Sequence, residues 1–137
     1  LSFYFFTRGF LALALLFENQ LLKVGSYLYI IIVSFSLLAE IIVLSFYPSY
    51  DSVLEVVNAF SVIGIGAIAV IFGIGLLRLQ DSMGRISKVA GRMEIVYGVS
   101  FLTLVFSFVG VLVLYPLLIV EIVLLFKADQ MVKEGNI

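Results

Sequence analysis

The chain has no cysteine and no histidine, only two prolines, and few charges: Lys, Arg, Asp and Glu together make up 12% of its 137 residues. Without thiol or imidazole there is no disulfide framework, no Cys or His metal site, no His-ligated haem, and no Cys or His nucleophile or base. That removes most redox and hydrolytic chemistry, but says nothing of compartment, since a chain without thiols suits any redox poise. No phosphate loop, no carboxylate cluster of metal spacing and no nucleophile motif occurs. The glycines of GIGAIAVIFGIG lack the preceding strand and turn that a dinucleotide fingerprint requires. The sequence therefore reads as non-enzymatic and without cofactor. Its formal net charge of -1 offers no basic face for nucleic acid.

What is present is apolar: 64% of the residues, against about half in an ordinary soluble domain. The expected fold is a single all-α domain over residues 1–137, a polytopic transmembrane helix bundle. Its clearest segment is 59–77, AFSVIGIGAIAVIFGIGLL, which runs without a charge for roughly 28 Å of helix, about one bilayer. Gly66, Ala69 and Gly73 recur on one face of it and let a neighbouring backbone approach closely.

Four spans are expected, at about 3–23, 26–47, 59–77 and 95–126. In the first, Arg8 lies too close to Glu18 for both to reach water across a bilayer, so the span is extended to Lys23 and ended at Gly25. An interfacial helix is the alternative there. Residues 11–17 resemble a signal-peptide core but lack the flanking basic and cleavage pattern. The second span stops at Tyr47-Pro48. The fourth is longer than a bilayer needs: one helix kinked near Pro116, or a hairpin turning near 110–116 that would make five crossings. A weak internal repeat points to the hairpin, since LLFENQLLK (15–23) is echoed by LLFKADQMVK (124–133).

Between the third and fourth spans, Arg78, Asp81, Arg85, Lys88 and Arg92 share one helical face. This predicts an amphipathic helix over about 79–94 lying against lipid headgroups, held by Arg78, Arg85, Lys88 and Arg92. The loop with Asp51 and Glu55 has no basic residue, so the 78–94 side is expected to be cytoplasmic in a plasma-membrane protein.

Ionisable groups inside a span are costly, and so are functional candidates. Three qualify: Arg8, Glu40 and Glu121. A hairpin turning at Val24 and Gly25 would set Arg8 opposite Glu40 as an intramembrane ion pair, either a register lock or part of an ion path. Glu121 is close enough to Lys127 to snorkel to the interface. In the fourth span Ser100, Thr103, Ser107 and Gly110 form a small-residue stripe, the expected partner of the Gly66/Ala69/Gly73 face.

A short apolar run, then GLLRLQDSMGRISKVAGRMEI, then a long apolar segment ending in LLFKADQ resembles small multi-span archaeal membrane proteins of uncharacterised function. The resemblance covers the C-terminal half and implies a multi-pass membrane protein, with no functional residue carried over. The expected function is a non-catalytic subunit packing with membrane lipids and with other integral subunits or copies of itself. The alternatives are a small channel or transporter for protons or cations using Glu40 with Arg8, and a self-assembling membrane-derived filament subunit.

Overall fold

The computed structural model describes residues 2–46, 51–103 and 107–135, all of them in helices or the turns between them. The helices are α1 (Ser2–Leu16), α2 (Gln20–Phe46), α3 (Asp51–Arg78), α4 (Gln80–Met83), α5 (Arg85–Leu102) and α6 (Ser107–Lys133). Three stretches, Gln20–Phe46, Ser52–Arg78 and Phe108–Lys133, are long and apolar enough to cross a membrane; the apolar part of α1, Tyr4–Leu16, is shorter. Their outward faces remain apolar, with Phe35, Phe46, Phe60 and Leu112 among the most exposed side chains. That is the pattern of a membrane protein, whose outer surface meets lipid rather than water.

The expected α3 does organise the chain. It runs antiparallel to α2, with Gly75 against Leu22, Gly25 against Phe72, and Ser36 donating to the Ser61 hydroxyl at 2.9 Å. On its other side it runs antiparallel to α5. A Cβ on Gly73 would lie 2.8 Å from the Gly91 carbonyl oxygen, and one on Gly98 would lie 2.6 Å from that of Gly66. Such closeness needs glycine on both helices, and it maximises the dispersion contact that holds helices together in lipid. The Gly66/Ala69/Gly73 face, with Ala69 fully buried, meets Gly91 and Gly98 rather than the hydroxyl stripe. Ser100 is buried and bonds to the Val96 carbonyl of its own helix; Thr103 is exposed and bonds to Ser100. Gly110 meets Phe101, across α5 and α6, and the side chain of Ser107 lies outside the described residues.

Three expected boundaries move. The first turn falls at Phe17–Asn19, not at Gly25, which is buried mid-contact against Phe72. Glu18 takes a positive φ of 48°, and Asn19 opens α2 by accepting the Leu22 amide on Oδ1 at 3.1 Å while Nδ2 donates to the Gly75 carbonyl at 2.8 Å. Second, the basic stretch is not one interfacial helix. It is broken at Leu79 and at Gly84, whose φ of 71° suits glycine, and from Arg85 it continues as α5 down the flank of α3. Third, residues 95–126 form a hairpin, but one that reverses between Leu102 and Ser107, so that Pro116 sits inside α6. The Tyr47-Pro48 stop lies outside the described residues.

α6 returns antiparallel to α5 and parallel to α1, Gly9 facing Leu125. The five longer helices thus pack in the cyclic order α1, α2, α3, α5, α6, with the short α4 against α3, α5 and α6. The apolar core, built on Phe10, Leu22, Phe72, Leu76, Met83 and Leu124, fills the end of this ring where α3 meets α4. Lys127 donates to the Met83 carbonyl at 2.6 Å and ties α6 to the α4–α5 turn.

Candidate functional site

Towards the middle of the ring the core gives way to a cavity of about 310 Å³ to which all five longer helices contribute. α1 supplies Phe6, Thr7 and Phe10; α2 supplies Tyr29 and Val33; α3 supplies Ile65 and Phe72; α5 supplies Glu94 and Tyr97; α6 supplies Leu114, Leu117, Leu118 and Glu121. The walls are apolar and aromatic, with two carboxyl groups set into them. Phe6, Phe10, Phe72 and Tyr29 form a continuous chain of edge-to-face rings, with centroids 5.2, 5.0 and 5.4 Å apart. That chain fixes the Tyr29 ring, whose hydroxyl donates to Glu94 Oε1 at 2.6 Å.

Glu94 and Glu121 are each only 3% exposed. They stand on α5 and α6 and both line this one cavity. Two like charges buried in one apolar cavity would be costly, which favours a proton on at least one of the two carboxyls. No Lys or Arg lines the cavity. The nearest cation in sequence to a lining residue is Arg8, beside Thr7, and its side chain is exposed, with the guanidinium 5.9 Å from the centre of the Tyr4 ring. Among the described residues the pair thus has no basic partner in the cavity, and Glu94 accepts from the Tyr29 hydroxyl instead. In α6, Pro116 lies beside Leu117 in the cavity wall, and its missing N–H leaves the Leu112 carbonyl without its helical donor.

The residues singled out by sequence divide. Glu121 is in the site, and its expected snorkelling to the interface is corrected: it points inward and is buried. Arg8 and Glu40 do not form an ion pair. With the turn at 17–19, Phe10 packs on Phe72 and so lies level with Gly25. Arg8 then falls near residue 27 of α2, and Glu40 is about 20 Å further along the helix. Among the charged side chains expected at headgroups, Arg78, Arg85 and Arg92 are exposed and Lys88 is half-buried. Arg85, Lys88 and Arg92 all stand on α5, a helix that packs on α3 rather than lying along a surface.

Glu94 escaped the sequence reading because it closes a run rich in charge and was grouped with it. The signal that marks it is on the other side of the wheel. Ser87, Gly91, Glu94 and Gly98 are spaced as one helical face, and all four are buried. A lone glutamate on a stripe of small residues points at a neighbouring helix, not at solvent. Among the described residues no three acidic side chains converge as a metal site would require. No family model, no curated protein and no solved structure matches this chain.

Proposed function

We propose that the chain is a small membrane carrier or channel in which Glu94 and Glu121 hold a proton inside the bundle and exchange it for another proton or a cation. The single observation that carries this reading is the pair itself: two buried carboxyls facing one cavity lined by five helices, with no Lys or Arg in its lining. One such group at mid-span costs roughly 2.5 to 3.5 kcal/mol on insertion scales, and a pure packing role is better served by apolar residues. Tyr29 orients Glu94, and Pro116 gives the wall a point where α6 can yield without breaking a further backbone bond. We assign the basic end, with Arg78, Arg85, Lys88 and Arg92, to the cytoplasmic side of a plasma membrane.

The test is proton flux in vesicles reconstituted with the purified chain, driven in one series by a potassium diffusion potential and in a second by a gradient of a monovalent cation, and read with an entrapped pH dye. Flux in the wild type that drops to the level of empty vesicles in Glu94→Gln and in Glu121→Gln is the expected result. Absence of flux in the wild type, or flux indifferent to both substitutions, overturns the proposal.

The packing-subunit reading is second, and the observation that favours it is α2. Beyond Ser26 only Val43 is buried on that helix. Its free apolar face suits a partner helix as well as lipid. Native extraction and mass spectrometry distinguish the two, since other subunits leaving the membrane in fixed ratio support the packing role.

A further inference from the structure

The cavity also constrains what the carboxyl pair can exchange its proton for. Inorganic cations need a shell of oxygens: six to eight around calcium, and a near-octahedral set around magnesium. The walls offer two carboxyls without a third acidic ligand among the described residues, and three hydroxyls spread over α1, α2 and α5, of which that of Tyr29 is already donated to Glu94; the rest is carbon. A wholly apolar guest finds carbon walls but leaves two carboxyls buried to no purpose, which is costly. What matches both parts is a cation that carries its own apolar surface. Aromatic rings over a quaternary or tertiary ammonium supply cation–π attraction, and a carboxylate supplies the counter-charge. Five aromatic side chains, Phe6, Phe10, Tyr29, Phe72 and Tyr97, border the space. A volume of about 310 Å³ is at the small end of ligand pockets, enough for a single-ring guest.

We infer that the cavity is a binding site for a small hydrophobic organic cation, of the benzylammonium class, taken up in exchange for a proton of the Glu94–Glu121 pair. This rests on the proton-handling reading above and names its substrate class. The exchange balances: one O–H bond of the pair is broken, the proton leaves for solvent, and the monovalent cation replaces its charge. The titratable groups facing the pair are Tyr29 from α2 and Tyr97 from α5. α1 and α3 contribute no ionisable side chain to the lining. Cation and proton therefore compete for the two carboxyls, and affinity rises with pH until one proton has been lost.

The probe is benzyltrimethylammonium, which has no proton of its own, with neopentylbenzene as its uncharged isostere. Calorimetry on the full chain in nanodiscs is expected to show saturable binding of the cation, weakening up to tenfold per unit fall in pH, with about one proton released per cation bound. The isostere does not compete. Glu121→Gln and Glu94→Gln lose at least tenfold in affinity, while Glu121→Asp, which keeps the charge, recovers part of it. Binding that releases no proton, or equal competition by neopentylbenzene, overturns the inference using wild-type protein alone, so a variant that fails to fold does not spare it. Proton flux measured on the same preparation separates the two claims. Glu-dependent flux without cation binding sinks this inference and leaves the carrier standing, whereas loss of both sinks both.

Discussion

At the scale of single residues, one polar side chain does work that an apolar bundle cannot do otherwise. Asn19 satisfies an orphan amide at the start of α2 and, with its other end, the carbonyl of Gly75 near the end of α3. Asn19→Ala removes both bonds and is expected to cost about 1 to 2 kcal/mol. Asn19→Asp keeps the cap but has no N–H for Gly75, so it should fall between the two. Thermal unfolding of the three proteins in one detergent checks the order, and an aspartate variant as stable as wild type would show that the Gly75 bond contributes nothing. The carboxyl pair behaves in the opposite sense. If Glu94 and Glu121 are retained for exchange rather than for packing, the double variant Glu94→Gln with Glu121→Gln relieves a costly burial and should be at least as stable as wild type while losing proton flux. A structural lock predicts the reverse, a double variant that unfolds earlier.

At the scale of helices, the α3–α5 contact is the joint on which the ring depends. A methyl on Gly98 would sit against the Gly66 backbone, which cannot give way, so the helices must separate; Gly98→Ala is expected to cost about 1 to 3 kcal/mol. At Gly64 a Cβ would meet only the tip of Ile32, at 3.0 Å, and Gly64→Ala should change stability by less than half as much. Chemical denaturation of the two variants side by side tests the contrast. The same contact shows what was legible beforehand. α3 could be read directly, because an uncharged run with glycine at helical spacing has few other meanings in lipid. α5 could not, because Arg85, Lys88 and Arg92 on its outer face make it look like a helix lying on the surface. Periodicity locates the polar face and is silent on whether the opposite face meets headgroup carbon or a glycine backbone. The Gly91 and Gly98 spacing was the available clue, and with it Glu94 would have fallen inside. The first turn was misplaced for a related reason: Gly25 has the residue type of a helix stop but serves close packing, while Asn19, a capping residue, marked the true start of α2.

At the scale of the whole molecule, charge is sorted along the bundle axis. The α1–α2 turn, the α3–α4–α5 corner and the last turns of α6 lie at one end, and every Lys and Arg except Arg8 lies towards it. Glu40, Asp51 and Glu55 lie towards the other end, on the last turns of α2 and the first of α3. Membrane insertion retains basic flanks on the cytoplasmic side, so this sorting predicts an orientation for the entire ring and hence the direction in which the cavity would load. The absence of cysteine makes the prediction simple to examine, because any introduced thiol is the only one present. Ser52 and Ser82 are both exposed and stand at opposite ends of α3 and α4. With a membrane-impermeant maleimide on intact cells, Ser52→Cys should label at once and Ser82→Cys only after permeabilisation. Reversing the sorting should reverse the result: Arg78, Arg85 and Lys88 changed to Gln, with Asp51 and Glu55 changed to Lys, is expected to move labelling from residue 52 to residue 82. Equal labelling of both single-cysteine proteins before permeabilisation would instead mean that the chain inserts in both orientations, in which case the proton and the cation could be exchanged in either direction by a mixed population.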